Sequence, residues 1–493
     1  MERKRHRLVL PLALVGAALL TTPALAAGTP QAVRVSGPSP YAACTAGGPG
    51  TVYTNAEVEP YVAVSPANSK TVIGAWQQDR WADGGAHGLV AGYSSDGGQT
   101  WGETPLPFDA CAPGGLAYTR ASDPWVSIGP DGTAYSNAIV FDETDNNNGV
   151  AAVSSTDGGR TWGNLAVVDS HTGTTQFFDD KNSITANPKI AGAAYSVWDD
   201  LRSPNANPYA DAHAAAYNGD GYFSMTADGG RTWSAPKAIF PTKQRTQTIG
   251  NQVVVDPRSP KTLYDFANWI VQPNNGNKET DQLAFVKSTD GGATWSAPKV
   301  VAPLDDVGVT DPNTGAGIRT GEIIPEVAIG ADGSIAAVWQ DAAWSGGAYD
   351  EVAFSRSTDG GSTWTAPARI STPTGRASFN PQVSIAPDGT IGVDYYDFRN
   401  LAAGNTSTLP TDYWFKSSKN GGRTWSADTH LAGPFDTMVA PNAGGFFLGD
   451  YAGLANGGGV FHPLWTQTTC ADGTACPTAA TDRTDVYTAA VTP

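Results

Sequence analysis

The chain has 493 residues, with 30 Lys and Arg against 47 Asp and Glu, and a net charge of −17. At 40% hydrophobic and 10% aromatic it is too apolar for a disordered chain, while 57 Gly and 35 Pro are too many for long helices. An acidic protein is a poor general binder of nucleic acid or anionic membrane, so composition disfavours a helical bundle, a transcription factor and a membrane transporter.

The chain opens with a basic start at Arg3, Lys4, Arg5 and Arg7, an apolar stretch from Leu8 to Leu20, and small residues at Ala24-Leu25-Ala26. That is the order of a secretory signal, so residues 1–27 are expected to be removed on export. The mature chain then carries a charge of about −20, because four basic residues and Glu2 leave with the signal. Export permits disulfides. Four cysteines, Cys44, Cys111, Cys470 and Cys476, allow three pairings. Cys470 and Cys476 are six apart and read as a stapled loop, which leaves Cys44 for Cys111. The six His are scattered, and no His or second Cys stands at metal-ligand spacing around these cysteines.

One pattern recurs after the signal. Ser94-Ser95-Asp96-Gly97-Gly98-Gln99-Thr100-Trp101 returns ending at Trp162, Trp233, Trp295, Trp364 and Trp425. Its acidic or amide position is Asp96, Asp157, Asp228, Asp290, Asp359 and Asn420, at intervals of 61, 71, 62, 69 and 61 residues. So regular a period implies an array of equivalent units. Asp-Gly-Gly is turn chemistry, with Asp bonding its own backbone and Gly supplying positive φ. Alternating runs flank each copy, so each is a hairpin turn between two strands, with its Trp anchoring the turn on its sheet. A first strand enters each unit at Pro60, Pro124, Asn182, Asn251, Pro325 and Pro381. A second strand follows, as in Thr71 to Trp76 or Ser334 to Trp339. Each unit thus has four strands, the blade of a propeller.

After the sixth copy come three more expected strands, Asp450 to Leu454, Gly459 to Thr466 and Thr484 to Val491, and no turn of this kind. A strand near Gln31 to Ser36 would complete a seventh unit and close the ring. The fold class is therefore all-β, a single propeller domain over residues 28–493, with seven blades preferred and six the alternative. No cofactor is expected. Ca²⁺ would suit an acidic mouth, but no loop has the EF-hand pattern, and no metal ligands are assigned.

The six copies match the Asp-box pattern S-x-D-x-G-x-T-W, and the chain resembles the sialidase-like Asp-box (BNR repeat) β-propellers along its mature length. The resemblance implies that the boxes stabilise blades away from the active face. It also implies a secreted, exo-acting glycoside hydrolase, a monomer with an extracellular carbohydrate as its partner. A non-catalytic glycan- or protein-binding propeller, or another polysaccharide-degrading activity such as a lyase, fits the same scaffold.

Sialidases hold a substrate carboxylate with three arginines. Here Arg80, Arg202 and Arg399 share one place after the second strand, in Trp76-Gln77-Gln78-Asp79-Arg80, Trp198 to Arg202 and Tyr395-Tyr396-Asp397-Phe398-Arg399. Equivalent repetition is also what a bracing Asp–Arg ion pair would show. Arg120-Ala121-Ser122-Asp123 and Arg319-Thr320-Gly321-Glu322 place an arginine three residues before a carboxylate at a strand entrance. Candidate catalytic groups are therefore Asp123, Glu322, Asp397 and Tyr396, and candidate substrate-binding groups Arg80, Arg202, Arg399, Arg120 and Arg319. The family's early Phe/Tyr-Arg-Ile-Pro motif is absent, and the nearest arginine is Arg34. Glu59, Asp180, Lys181, Asn251, Glu326, Asn380 and Asp450 also sit at strand entrances.

Overall fold

A computed structural model describes residues 30–203, 218–271, 280–469 and 483–493. The signal reading of residues 1–27 and the Cys470–Cys476 pairing lie outside these residues. The Cys44–Cys111 disulfide is formed, with the Cα atoms 5.6 Å apart. The regular elements of the described chain are all strands apart from a single 3-10 turn at Thr437–Val439. None of its helical segments is long and apolar enough to cross a membrane.

The strands pair antiparallel in groups of four. The first group is Val52–Val64, Val72–Trp81, Ala86–Ser94 and Gly102–Leu106. The second, Arg120–Ile128 to Gly163–His171, the third, Phe177–Ala186 to Lys237–Phe240, and the fourth, Thr246–Val255 to Lys299–Leu304, repeat it. A fifth starts at Glu326–Ile329 and a sixth at Ser378–Ile385. At the end of the chain Gly453–Gly457, Val460–Thr468 and Thr484–Thr488 pair in order, and Val33–Arg34 pairs with the last of these. The first strands of successive groups lie side by side, from Val52–Val64 round to Gly453–Gly457, which lies against Val52–Val64 again.

The register fixes two opposite ends. Val52 faces Trp81, so each first strand begins where the second ends; Val72 faces Ser94, so the repeated turns lie at the far end. In each turn the opening Ser or Thr hydroxyl donates to the Asp, and the Asp accepts from the backbone and hydroxyl of the Thr four residues on, as in Asp96 with Thr100 at 3.0 and 2.5 Å. Asn420 keeps the geometry by donating its amide to Thr424 Oγ1 at 2.7 Å.

The Trp anchoring differs from expectation. These indoles pack across the seam on the preceding group: Trp295 on Phe223 at 5.4 Å, Trp364 on Phe266 at 5.9 Å and Trp425 on Phe354 at 5.2 Å, all edge-on. The turn residue therefore fastens neighbouring sheets together, burying aromatic surface that a lone sheet would expose. A second set of indoles, Trp76, Trp198, Trp339 and Trp465, is fully buried on the second strands.

Candidate functional site

The entrances of the first strands share a defect. Pairing slips by a residue between Val58 and Tyr61, Ser122 and Trp125, Asp180 and Ser183, Ile249 and Gln252, and Phe379 and Gln382. Each slip is a β-bulge, and its residue is left-handed: Glu59 (φ 53°), Asp123 (54°), Lys181 (43°), Gly250 (72°) and Asn380 (48°). A non-glycine residue pays strain for that conformation, and a bulge re-aims its side chain out of the strand's alternation. The residue after three of the four buried indoles, Trp76, Trp198 and Trp339, bonds the bulge region of the following group. Asp199 accepts from Gly250 N at 2.9 Å, Gln340 accepts from Asn380 N at 2.9 Å, and Gln77 donates to both Glu59 and Ser122. The recurring Trp-Gln/Asp pattern is thus a clamp between neighbouring sheets.

The bulges aim charge into one place. Lys181 Nζ lies 2.7 Å from Asp450, 3.1 Å from Asp123 and 3.7 Å from Glu59. Asp450 also takes a forked pair of bonds from Arg319, at 3.0 and 2.7 Å. Arg319 arrives on a small separate sheet, Val309–Thr310, Gly317–Arg319 and Phe446–Phe447, which joins the connections before the fifth and seventh groups across the mouth. Phe447 lies under both Arg319 and Arg80, 4.6 and 4.8 Å from their guanidinium carbons. The approach is tight: a Cβ on Gly321 would sit 1.8 Å from the carbonyl oxygen of Asp450. Beside this cluster, Tyr61 stacks on Trp125 at 3.5 Å, and Tyr451 packs against both rings.

Three carboxylates thus meet three cations, and only part of the cluster reaches solvent. Glu59, Asp123 and Asp450 side chains are 1%, 5% and 6% exposed, whereas Arg319 is 35% exposed. Burial pushes the Glu59 carboxyl up to about 8, with Lys181 opposing and Asp123 and Asp450 adding to the rise. Burial would raise Asp450 too, but Arg319 and Lys181 outweigh it and hold Asp450 well below the ordinary range. Burial lowers Arg80 to about 10, helped by the repulsion of Arg319.

Glu322 stands on the solvent side of this cluster, accepting from Thr320 Oγ1 at 2.8 Å, and burial raises its carboxyl. It faces two further acids. Asp306 is pushed up to about 7 by burial and then by Asp350, Glu322 and Asp281; Asp350, which accepts from Val307 N and Gln340, is pushed up to about 6 by burial and by Glu322 and Asp341. Asp306 lines an open groove of about 820 Å³ beside the mouth, with Asp281, Asp305, Leu304, Ala342 and Gly346.

The sequence-predicted residues separate accordingly. Arg319, Glu322, Asp123 and Arg80 come together at the mouth. The other five do not join them. Arg120 is fully buried, bonded to Gly47 O and Asp83 at 2.7 and 2.8 Å and laid over Trp81, so it staples the loop that follows Cys44. Tyr396 is in the core between Phe379 and Tyr413, donating to Thr466 O at 2.9 Å. Burial raises its hydroxyl well above the ordinary value, and the side chain has no access to solvent. Asp397 and Arg399 pair with each other at 2.6 Å, and Arg399 pairs also with Asp428 at 2.8 Å over the Trp414 ring, an internal brace of the sixth group. Arg202 lies over Phe177 at 4.7 Å, at the seam of the second and third groups. The three arginines therefore occupy equivalent chain positions without converging. Asp306 and Asp350 escaped the sequence reading because they belong to connections that only the folded chain sets beside Glu322.

No protein-family model matches the chain, and no curated protein matches it. Solved structures do. An ulvan lyase of a new polysaccharide lyase family, bound to -[GlcA(1-4)Rha3S]-, is similar with a TM-score of 0.52 and 11% identity over 89% of this chain and 95% of that one. A Hadza microbial sialidase gives a TM-score of 0.47 and 14% identity over 86% and 74% of the two chains. An α-L-arabinofuranosidase from Fusarium graminearum, in complex with an iminosugar inhibitor, gives 0.44 and 14% over 70% and 91%. At these identities the likeness to the ulvan lyase is one of fold.

Proposed function

We propose that the chain is a secreted, glycan-degrading enzyme on a seven-bladed propeller of the sialidase-like Asp-box type, with its active centre at Arg319, Glu322 and Asp306. The ring reading is supported by the pairing of Val33–Arg34 with Thr484–Thr488 and by the contact of Gly453–Gly457 with Val52–Val64. The observation that carries the function is the meeting at the mouth of three acids from separate connections, Glu322, Asp306 and Asp350, each raised by burial, with Asp306 lining the groove and Arg319 partly exposed.

An acid held near 7 donates or accepts a proton at neutral pH with little driving-force loss. In this reading Asp306 and Glu322 exchange protons with the glycan. Arg319, kept charged and oriented by Asp450, recognises a carboxylate on it. Glu59, Asp123, Lys181 and Arg80 are positioning residues, since burial keeps them from the substrate. The substrate class is an acidic glycan, because Arg319 is the most exposed cation of this cluster and its Nη1, outside the fork that holds Asp450, donates only at 3.3 Å to Ala443 O. Glycoside hydrolysis and β-elimination both use such a pair, and sialic acid and uronic acids both carry the carboxylate.

The test is a panel containing a fluorogenic sialoside and several uronate polysaccharides, read for released aglycone, new reducing ends and unsaturated products. Turnover that Arg319→Ala weakens mainly through KM supports the reading. Binding without turnover across the panel favours the non-catalytic glycan binder, a reading that the self-neutralised Arg319–Asp450 pair also suits.

A further inference from the structure

A second cluster lies apart from the mouth acids, at the seam where the second group of strands hands over to the third. Asp169 and His171 end the outer strand Gly163–His171, and Asp179 opens the strand Phe177–Ala186. One ligand atom from each of Asp169, His171 and Asp179 lies within 4.8 Å of the other two. Asp200 joins them from the next strand, where it is the direct cross-strand partner of Asp179.

The cluster is not satisfied as it stands. Asp179 is fully buried, and neither of its carboxylate oxygens has a hydrogen-bond partner. The nearest cation is the His171 ring, whose Nε2 is 3.5 Å from Asp179 Oδ1 without a hydrogen bond between them. Asp200 is 6% exposed and leaves Oδ1 unpartnered. Two carboxylates directly opposed across a strand pair repel. A buried carboxylate without a partner costs more still. The His171 imidazolium and the Arg202 guanidinium, which also acts on Asp200, would together leave one carboxylate of the three without a counter-charge.

The third group also departs here from its equivalents. Trp76, Trp339 and Trp465 each donate their indole N–H to the side chain two residues on, Gln78, Asp341 and Gln467, at 3.1, 2.9 and 2.9 Å. Trp198 does not bond Asp200; its Nε1 turns to Asp169 and Asp179 instead, without closing a hydrogen bond to either. The Asp200 carboxylate has given up the bond its position makes elsewhere.

We infer that Asp169, His171, Asp179 and Asp200 form a binding site for one divalent transition-metal ion of the Zn²⁺ or Mn²⁺ class. A mixed imidazole and carboxylate donor set suits these ions, whereas Ca²⁺ takes oxygen ligands. The ion supplies the positive charge that the buried acids lack, and Asp169 and His171, both partly exposed, give it a way in. It ties the end of one sheet to the start of the next across the connection 172–176. His171 is already oriented for this by stacking on Phe177, at 5.0 Å and 13°.

The experiment uses the mature protein, stripped with a chelator and dialysed, then titrated calorimetrically with ZnCl₂, MnCl₂ or CaCl₂, with bound metal measured by elemental analysis. The expected result is one equivalent of Zn²⁺ or Mn²⁺ held more tightly than Ca²⁺, with a rise in melting temperature on binding. Loss of a mere supporting residue costs a metal site ten- to a hundredfold, so His171→Gln is expected to weaken binding by at least about a hundredfold. Asp179→Asn should do the same. If that variant does not fold, His171→Gln, at the exposed edge, decides alone. No stoichiometric binding by the wild type overturns the site and leaves a His171–aspartate ion pair. Wild-type affinity in His171→Gln overturns it too, because the ion then sits elsewhere.

Discussion

The repeated turns at one end of the molecule and the mouth at the other both gather carboxylates, and they hold them in opposite states. Asp290 and Asp359 are exposed and Asp96 and Asp228 partly so, yet their carboxyls lie at about 2, drawn down chiefly by hydrogen bonds from the Thr four residues on. At the mouth, burial and neighbouring acids push Asp350 to about 6, Asp306 to about 7 and Glu59 to about 8. The turns satisfy every acid locally, with a partner supplied by the same eight residues. The mouth brings acids together from separate sheets faster than it brings donors. A local motif therefore builds structure, and a convergence of remote strands builds a site with protons to exchange.

The largest expected effect breaks the mouth. Asp450→Ala removes the shared partner of Arg319 and Lys181 and leaves buried positive charge. It should cost about 3–5 kcal/mol in a urea titration, the scale for breaking a buried pair from one side. Arg399→Ala, which leaves Asp397 and Asp428 short of a donor, should cost about 2 kcal/mol. It should leave any glycan turnover unchanged, because the brace lies within the sixth group. A turnover loss in that variant would restore the three-arginine reading.

The pH dependence sharpens the contrast. Raised acids add stability that is complete below the ordinary carboxyl range and fades as pH rises, through about 7 for Asp306 and about 8 for Glu59 and Glu326. The turn acids do the reverse, adding stability that is complete above 3.8 and lost as pH falls through about 2. Melting temperature against pH should therefore fall on both sides. Glu59→Gln should flatten the alkaline limb only, and Asp359→Asn the acid limb only. The smallest effect belongs to one turn alone. Asp96→Asn should lower the melting temperature by no more than about 2 °C, since Asn420 already serves in the sixth turn. A drop as large as that of Asp450→Ala would place the turns, not the mouth, at the centre of stability.

The sequence made much of this visible, unevenly. The turns were legible because each is one local motif at a steady interval, and so was the order of strands around it. Glu59, Asp123, Lys181, Asn380 and Asp450 were legible as strand entrances. Their convergence was not, because it rests on left-handed bulges at non-glycine residues, which leave no mark in composition. Arg319 and Glu322 stood out as a neighbouring pair, but the small sheet that swings Arg319 over Asp450 joins connections more than a hundred residues apart. Tyr396 and Asp397 do close a second strand at the entrance end, but the sequence did not tell which way their side chains turn. The side-chain contacts show a core face and a brace. Asp169, His171, Asp179 and Asp200 follow no metal-ligand spacing, so only the seam between two sheets shows them together.

One paired measurement tests the account most directly. Glu322→Gln and Asp359→Asn each remove one carboxylate charge, the first at the mouth and the second at the far end. They would be compared with the wild type on whichever acidic glycan it cleaves. Losing a general acid–base group costs about 10²–10⁴ in rate. The account predicts a loss of that size in kcat for Glu322→Gln, with its fold intact, and wild-type turnover for Asp359→Asn. Equal turnover in the two variants, or no cleavage of any glycan by the wild type, would contradict it.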